Sequence, residues 1–485
     1  MSQAVLGSPP LQEPVPAQPT PARYVVGTLQ YTKFGLFWVC VWMLWGDFVW
    51  TLLDGSVPGI LPFKLKDMGA SDTTNQVLNR SIAYAIAFLF APAVSMHSDR
   101  HRGRWGRRIP YLLWSTPFVG LFLVLIGYYD SLTNLVLGTT EAVSFLGLEI
   151  GRSSVALIVI GALFIGYDLS NIFVNTVYYY LFNDVIPEQF IARFLALFRM
   201  VGIAGGAIYS KWIFPHALDH FRLVFVVAGV CYVIGFMAMC FMVKEGKYPP
   251  PPQNVDQRKG FSAAFKTFFK ECFTHKFYWY FFLSQTFLFL SWQSGTFASL
   301  RNRDSLHLDM QQLGDLGFWT NIVSLFLMYP CAWLADKWHP VRVYVILTIV
   351  QFFQPLAQCI WIFTDFGPAG NLWGQYVIAV AILPISAVQA AAELPMYMRL
   401  LPKDRYGQFC SANAMIRAFA LMFGSALAGL FMDMLTRYAG MDEWRYRYYA
   451  LWVVVFQIPA IICLVLLYSE WKARGGEKGY TPPEA

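Results

Sequence analysis

In the first half of this sequence, three acidic side chains lie inside long apolar runs, where a charge is costly. Asp47 and Asp54 share one run, and Asp168 lies midway along another. A carboxylate at the middle of a bilayer costs about 2.5–3.5 kcal/mol on insertion scales, so each should face a cavity or a partner. Burial favours the neutral form of a carboxylic acid, and a nearby cation favours the charged form. A carboxylate that alternates between these surroundings can bind and release a proton.

Asp47 and Asp54 are seven residues apart, which places them on one helix face about 10 Å apart along the axis. Counted from the start of the run, Asp47 falls near the middle of the membrane and Asp54 towards its outer side. We predict that each serves as a proton site or as an acceptor for a substrate hydroxyl. For Asp54, the neighbouring Gly55 and Pro58 allow a second interpretation, a break in the helix near the outer surface.

Asp168 begins a polar stripe on its predicted helix. Asn171 and Asn175 follow it at +3 and +7, the spacing of one helix face. Arg199 lies about two turns inside the next predicted helix and is the expected partner of Asp168. This set predicts a site for proton coupling or substrate binding, and the alternative is a static hydrogen bond between helices.

The second half of the chain places mostly neutral polar groups in its apolar runs. Gln293 follows Trp292 in one run, and Gln389 and Glu393 are spaced i, i+4 in another. Amides both donate to and accept from hydroxyl groups, and Trp rings stack on the apolar faces of sugars. We therefore predict a sugar site, and the alternative is the ordinary hydrogen bonding between membrane helices. Further amides of this kind are Gln285, Asn321, Gln351, Gln354 and Gln358.

The whole chain is apolar: of its 485 residues, 57% are hydrophobic and 13% are charged. A soluble domain carries about 25% charged residues, so a bilayer is the natural solvent here. We predict twelve membrane-spanning helices, because twelve apolar runs approach or exceed the ~20 residues that span a bilayer. The runs are residues 34–61, 81–97, 111–129, 153–181, 192–214, 222–243, 277–299, 313–334, 343–363, 373–400, 408–435 and 448–469.

Lys and Arg are concentrated in alternate connections between these runs. With the N-terminus inside the cell, the cytoplasmic connections hold most of them, as the positive-inside rule requires. The sequence therefore predicts a multi-pass protein of the plasma membrane (the inner membrane if the source is bacterial) with both termini cytoplasmic. The net charge of +7 is spread over short loops, which argues against a nucleic-acid-binding stripe.

At two places an apolar run ends in an Asp that is followed by basic residues. The first turn, Asp99 to Tyr111, contains five arginines, and the second runs from Asp336 to Arg342. Each turn then gives way to another apolar run. Two basic turns at matching places indicate a duplicated membrane protein.

A second pair of segments supports the duplication. Pro187 is followed by a segment that ends in Phe194, and Pro402 by a similar segment that ends in Phe409. Two six-helix halves of this kind are one way to build alternating access. The expected parts are a disordered cytoplasmic tail (1–32), an N-terminal six-helix bundle (33–243), a cytoplasmic linker with an amphipathic helix (244–276), a C-terminal six-helix bundle (277–470) and a cytoplasmic tail (471–485).

The first basic turn resembles the corresponding loop of the major facilitator superfamily. Five residues separate Arg100 from Gly106, and Arg-Arg-Ile-Pro-Tyr follows. This longer spacing is similar to that of the sucrose transporters and of the glycoside–pentoside–hexuronide cation symporters. The run Asp168-Leu169-Ser170-Asn171 also resembles the Asp-Leu-x-Asn pattern of the sucrose transporters.

The resemblance implies the major facilitator fold, an all-α membrane protein with twelve transmembrane helices in two pseudo-symmetric six-helix bundles. It also implies a conformational latch that stabilises one state through salt bridges across the halves. The residues expected in this latch are Asp99, Arg107, Arg108 and Asp336.

Two features separate this chain from those families. Sucrose transporters generally lack acidic residues in the middle of the first helix, where this chain has Asp47 and Asp54. Melibiose-type sodium symporters carry acidic cation ligands on the second helix, where this chain has no acid before Asp99. The expected coupling ion is therefore the proton rather than sodium.

Together these features predict a secondary active transporter that couples a sugar to protons. The expected sugar is a disaccharide or oligosaccharide such as sucrose or maltose, and the expected protein is a lipid-embedded monomer without cofactor or metal. An exporter of drugs or other small amphipathic compounds on the same fold is the alternative. A membrane enzyme is disfavoured, because the longest loops, 130–152 and 244–276, hold only scattered acidic residues and one histidine.

Overall fold

The computed structural model describes residues 24–138, 142–145, 148–248 and 272–483. Within these residues the chain forms twelve long helical segments, one for each apolar run. Their bounds are α1 Lys33–Asp67, α2 Asp72–Arg100, α3 Ile109–Gly127, α4 Arg152–Val185, α5 Glu188–His216, α6 Phe221–Met242, α7 Lys276–Ser291 with shorter helical turns to residue 305, α8 Met310–Lys337, α9 Pro340–Phe363, α10 Gly367–Leu400, α11 Tyr406–Ala439 and α12 Glu443–Ala473.

Ten of these segments, counted over the described residues, are long and apolar enough to cross a membrane by length and composition. The other two, α7 and α8, carry more polar side chains, such as Arg301 in α7 and Asp315 in α8. Polar segments at membrane depth are tolerated where other helices enclose them or where they line a cavity. Both have such neighbours, since α8 packs against α5 and the distal part of α7 packs against α1.

Several helices are irregular where the sequence interrupts the backbone hydrogen bonds. In α1 the irregularity falls at Gly55, directly after Asp54. In α7 it is a 3₁₀ turn at Trp292–Ser294. Pro384 and Pro395 lie inside α10, and each lacks the N–H that a helix interior requires. The position of Gly55 agrees with the second interpretation of Asp54, a break in the first helix.

Because the helices alternate in direction, the connections between them fall on two faces. We call the terminal face the one that carries Lys33, the turn 101–108 and Ala473. We call the distal face the opposite one, which carries connections such as 217–220 and 440–442. Both chain ends of the helical body therefore lie on the same face.

Each half has its own apolar core, and a third cluster joins the halves. Tyr178 and Phe236 belong to the first core, and Tyr344 and Phe409 to the second. The third cluster contains the distal residues Phe63 and Phe214 of the first half packed with Phe297, Leu313 and Tyr446 of the second.

The seam between the halves is formed mainly by the helix pairs α2–α11 and α5–α8. Hydrogen bonds and ion pairs reinforce this seam near the distal face, as in the pairs Arg303–Asp67 and Lys211–Asp315. The distal side of the seam is therefore closed in this structure.

Two hairpins add to the helices. The first pairs Tyr24–Val26 with Leu29–Tyr31, and the second pairs Ala142–Phe145 with Leu148–Gly151. The first hairpin corrects the prediction of a disordered tail over residues 1–32, since residues 24–31 are paired strands joined at Gly27, whose φ of +55° suits glycine. Most of the amphipathic helix predicted within 244–276 lies outside the described residues.

Candidate functional site

Asp47 is buried within the first half, with 1% of its surface exposed. Thr51, one turn further along α1, donates from Oγ1 to Asp47 Oδ1 at 3.5 Å. Asp47 Oδ2 has no hydrogen-bond partner among the described residues. Gly202 of α5 faces this oxygen, since a Cβ built on Gly202 would lie 3.7 Å from Oδ2. The missing side chain at Gly202 therefore lets α5 approach the carboxylate closely.

Arg199 lies one turn before Gly202 on α5, and its side chain is exposed. Its positive charge acts on the carboxylate of Asp47. The sequence predicts Asp168 as the partner of Arg199, and in the structure the charge of Arg199 acts on Asp47. The reason is the packing: α5 lies directly against α1, whereas α4 packs chiefly on α2 and α3.

Asp168 is half-buried on α4, beside the buried Asn171 and the half-buried Asn175. Asn171 Nδ2 donates to the hydroxyl of Tyr167 at 3.4 Å. The three residues therefore form the polar stripe that their spacing predicts.

One hydrogen bond fixes the height of α4 beside α1: the Tyr178 hydroxyl donates to the carbonyl oxygen of Met43. Asp47 is four residues beyond Met43 towards the distal face, and Asp168 is ten residues from Tyr178 in the same direction. At 1.5 Å per residue, Asp168 lies about 9 Å nearer the distal face than Asp47. The two acids therefore stand at different depths, and the backbone of Asp54 lies near the depth of Asp168.

In the second half, Oε1 of Gln285 on α7 accepts hydrogen bonds from two tyrosine hydroxyls. Tyr344 donates to it at 3.2 Å and Tyr397 at 2.9 Å. The Tyr397 hydroxyl also lies 3.1 Å from Glu393 Oε1, and it has one proton, so it donates to one acceptor at a time. Arg417 of α11 lies close by and acts electrostatically on both tyrosines.

This cluster extends the sequence analysis, which selected Glu393 and Gln285 but missed both tyrosines. Tyr397 stands one turn after Glu393, a spacing that could have drawn attention to it. When Pro402 is aligned with Pro187, Arg417 falls on Gly202. In each half, an arginine of the fifth helix therefore acts electrostatically on a group of another helix: Arg199 on Asp47, and Arg417 on Tyr397.

Two predicted sugar-binding amides are engaged in bonds between helices. Gln293 Nε2 donates to Phe289 O at 3.1 Å and to the Tyr84 hydroxyl at 3.4 Å, and Ser425 donates to Gln293 Oε1 at 2.9 Å. Gln389 Nε2 donates to Thr348 Oγ1 at 2.8 Å. These contacts match the alternative that the sequence left open, hydrogen bonds that hold membrane helices together.

Other amides line a cavity of about 320 Å³ near the distal face. Asn302, Gln354, Gln358 and Gln375 contribute its polar groups. A second cavity of about 180 Å³ adjoins it through the shared residues Phe214, Ser299 and Leu313 and contacts α1 and α5. Their combined volume lies in the range of small-molecule sites.

The buried Arg301 donates hydrogen bonds to two of the amides that line this cavity and so fixes their orientation. Its Nη1 donates to Gln358 Oε1 at 2.6 Å, and its Nη2 donates to Asn302 Oδ1 at 2.7 Å. Because both amide oxygens are taken by the guanidinium, both NH₂ groups are left to donate elsewhere. Gln358 Nε2 points to Gln375 Oε1 at 3.3 Å. Arg301 was not among the predicted site residues, because it lies just beyond the end of the apolar run 277–299.

At the terminal face, the arginines of the Asp99–Tyr111 turn bind carboxylates of the first half. Arg107 Nε donates to Asp184 Oδ2 at 2.9 Å, and Arg108 forms ion pairs with Asp99 and Asp184. Glu245 accepts the backbone N–H groups of residues 107, 108 and 109.

The latch predicted for this turn differs from what the structure contains. Salt bridges across the halves were expected, but the ion pairs described for Asp99, Arg107 and Arg108 stay within the first half. Asp184 at the end of α4 and Glu245 after α6 lie next to the turn and bind it, in place of the expected partners in the second half. For Asp336 the structure describes the backbone, at the end of α8.

A cross-half ion cluster that the sequence analysis missed lies at the distal face. The buried Asp72 accepts from Arg445 Nε at 2.6 Å and from the Tyr446 hydroxyl at 2.7 Å. Asp433 of α11 accepts the backbone N–H groups of Asp72 and Thr73, both at 2.9 Å. A carboxylate at a helix N-terminus is favourable because the N–H groups there are unpaired. This cluster ties α2 to α11 and α12.

Comparison with known proteins agrees with this architecture. The family model of the Major Facilitator Superfamily matches residues 281–479. Solved structures match nearly the whole chain. The chain has the major facilitator fold. The fold predicted from the sequence is therefore confirmed.

Three of the similar structures illustrate the extent of the likeness. An inward-facing, occupied bacterial homologue of the human lysosomal transporter Spinster has a TM-score of 0.65 at 13% identity, covering 93% of this chain and 100% of that one. An inward-facing bacterial homologue of the iron transporter ferroportin has a TM-score of 0.63 at 15% identity, covering 89% and 99%. A D-xylose–proton symporter has a TM-score of 0.59 at 9% identity, covering 90% and 97%. Comparison with curated protein sequences finds no significant match.

Proposed function

We propose that this chain is a secondary active transporter that moves a sugar together with protons by alternating access between its two halves. One observation carries the proposal: Asp47 is 1% exposed inside a helical membrane bundle, and the charge of Arg199 on another helix acts on its carboxylate. Ionisable groups at such positions are expensive and mark ion or proton pathways. In a transporter of the major facilitator fold, such a carboxylate can bind and release the transported proton.

We place the protein in the plasma membrane with its terminal face in the cytoplasm. The terminal face carries the five arginines of the Asp99–Tyr111 turn, as the positive-inside rule requires of a cytoplasmic face. With this orientation the closed distal side of the seam faces outward. We therefore interpret the structure as an inward-facing state of a monomeric transporter.

In this proposal Asp47 carries the proton. Asp47 Oδ2 has no hydrogen-bond partner among the described residues, so a proton can bind there without breaking an existing bond. The charge of Arg199 favours the ionised carboxylate, and burial of the carboxylate favours the protonated one. Rocking of the halves moves the second half relative to Asp47 and exposes this carboxylate to one face of the membrane at a time, so proton binding and release alternate with the open face.

Asp168 is the second acid of the proposed pathway. Its place about 9 Å nearer the distal face puts it between the outside and Asp47. With Asn171 and Asn175 it forms a polar stripe on α4 that serves as a proton relay or as a hydroxyl contact.

We propose that the sugar binds in the adjoining cavities near the distal face. The amides of Asn302, Gln358 and Gln375 line the larger cavity, and neutral amides suit the hydroxyl groups of an uncharged sugar. The likeness to a D-xylose–proton symporter supports this choice at the level of the fold. A disaccharide is the substrate that the sequence resemblance favours.

The test is uptake into proteoliposomes that contain the purified full-length protein. A panel of radiolabelled mono-, di- and oligosaccharides is offered in sodium-free buffer, with and without an imposed pH gradient. We expect one class of sugar to accumulate above equilibrium when the outside is acidic. A requirement for sodium, or transport of amphipathic dyes without uptake of any sugar, would contradict the proposal.

A further inference from the structure

A cavity of about 780 Å³ opens at the terminal face of the second half, away from the seam and from Asp47. The end of α10 and its connection to α11 supply Arg399, Lys403 and Arg405 to its lining. The turn between α8 and α9 supplies His339. The chain after α12 closes the other side with residues between 476 and 483.

The lining of this cavity is positively charged. Its described residues include three permanent cations and a single acid, Glu477, which is itself paired with Arg342 at 3.4 Å. Arg399 and Lys403 are exposed and form no ion pair with any described side chain. Burial, and next the charge of Arg399, lower the pKa of the His339 imidazole. Among the described side chains, Arg399 and Lys403 therefore add positive charge to the cavity without an acidic partner.

Hydrogen bonds hold the walls of the cavity in place. The Tyr480 hydroxyl donates to Leu400 O at 2.8 Å, and the Tyr278 hydroxyl donates to Pro483 O at 2.8 Å. The ring of Trp471 lies against those of His339 and Tyr480. The segment after α12 is thus fixed to α7 and α10, and it forms a defined wall of the cavity.

We propose that this cavity binds a phosphate-bearing ligand, with Arg399 and Lys403 as the phosphate contacts. Arginine binds phosphate through two parallel N–H groups, and lysine binds it as a point charge. The positive-inside rule explains basic residues on this face, but it does not require them to line one cavity. The volume exceeds what inorganic phosphate needs and falls in the range of small-molecule sites, so the ligand has an organic part that packs on the half-buried Tyr480.

Two kinds of ligand carry a phosphate on an organic part: a soluble phosphorylated compound and the headgroup of an anionic lipid. Both would bridge α10 to the segment after α12. Bound ligand would therefore restrain the terminal ends of α10 and α11, whatever substrate the transporter carries.

The test uses the full-length protein in two arms. In the soluble arm, inositol hexakisphosphate is titrated calorimetrically into protein in neutral detergent, with inorganic phosphate as competitor. In the lipid arm, the thermal unfolding midpoint is measured in phosphatidylcholine nanodiscs with and without phosphatidylglycerol. The variants are Lys403→Gln, the double change Arg399→Gln with Lys403→Gln, and Lys472→Gln as charge-matched control on the same face.

We expect saturable binding in one arm, weakened about tenfold for each phosphate contact removed, because a hydrogen bond to a charged group contributes that much. Lys472→Gln should bind like the wild type, since Lys472 is exposed outside the cavity lining. Absence of saturable binding or stabilisation in both arms would overturn the proposal. Equal losses in Lys403→Gln and Lys472→Gln would also overturn it, since they would reveal a general effect of surface charge.

Discussion

At the scale of single residues, Gly202 lies directly beside the carboxylate of Asp47. A Cβ there would lie 3.6 Å from Thr51 Oγ1 and 3.7 Å from Asp47 Oδ2, so a longer side chain would occupy the space beside the carboxylate. The glycine leaves this space open on the helix that carries Arg199. The surroundings of Asp47 therefore include a small residue as well as a cation.

The role of Arg199 can be separated from that of Asp47 by removing its charge. We expect Arg199→Gln to reduce proton-driven sugar accumulation to the equilibrium level, because the cation that favours release of the proton is lost. Exchange of labelled for unlabelled sugar should persist. Both are measured in proteoliposomes.

Arg193→Gln is the matched control for this variant. Arg193 is exposed on the same helix, about 9 Å nearer the terminal face, and its loss should leave accumulation unchanged. Full accumulation by Arg199→Gln would show that proton release does not need this cation.

The sequence predicts the charged members of the site better than the neutral ones. Asp47 is conspicuous because it interrupts an apolar run, and it is buried as the cost of a membrane charge requires. Gly202 and Tyr397 are ordinary residues of apolar runs, and their importance follows from which helices touch. The partner of Arg199 could not be chosen from the sequence, since that choice depends on the contact between α1 and α5.

At the scale of helices, α11 and the start of α2 approach each other very closely across the seam. A Cβ on Gly429 would lie 2.6 Å from Asp72 O and from Thr73 Cα, closer than atoms can approach. Asp433, one turn later, accepts two backbone N–H groups from the same end of α2. The closed distal face therefore requires glycine at position 429.

We expect Gly429→Ala to destabilise the closed distal face, because the added methyl group forces α11 away from α2. Spin labels at positions 219 and 442, on distal connections of the two halves, should show a larger population of long distances. Gly407→Ala is the matched control on the same helix, since a Cβ there meets nothing within 4 Å. Identical distance distributions for both variants would contradict this account of the seam.

The connection between α9 and α10 should lose stability in acid. Asp365 lies between α9 and α10, and the hydrogen bond from Arg447, followed by that from Asn371, lowers its pKa from 3.8 to about 2. A lowered carboxyl pKa contributes stability that is present above the unfolded value and is lost as pH falls through the folded value. The contribution of Asp365 should therefore disappear between about pH 4 and pH 2.

The measurement is the thermal unfolding midpoint in detergent as a function of pH. We expect Asp365→Asn to unfold at a lower temperature than the wild type at pH 5, with the difference vanishing near pH 2. Asp219→Asn, at an exposed position of another distal connection, should follow the wild type throughout. A pH-independent difference for Asp365→Asn would show that its charge is not what stabilises the connection.

At the scale of the whole molecule, the sequence predicts the helices well and their long-range contacts poorly. Twelve apolar runs gave twelve helical segments, because length and composition suffice for a helix in lipid. Asp72 and Arg445 are 373 residues apart, and nothing local to either indicates the other. The same holds for Glu245, which binds a turn more than 130 residues earlier in the chain.

The distribution of ion pairs over the molecule suits a rocking motion. At the terminal face, Arg107 and Arg108 of the basic turn pair with Asp184, and Glu245 accepts backbone N–H groups of the turn; because both acids belong to the same half as the turn, that half can move as a unit. The distal cluster around Asp72 joins both halves and must open for the outside to be reached. Alternating access then consists of breaking the distal contacts while those within each half persist.

The measurement that tests this mechanism most directly compares two transport modes of Asp47→Asn with those of wild type and Asp219→Asn. In proteoliposomes given the sugar that the wild type accumulates, we predict that Asp47→Asn exchanges labelled for unlabelled sugar but no longer accumulates it under an inward pH gradient. Asp219→Asn should do both. Gradient-driven accumulation by Asp47→Asn at the wild-type level would contradict the assignment of the proton to Asp47.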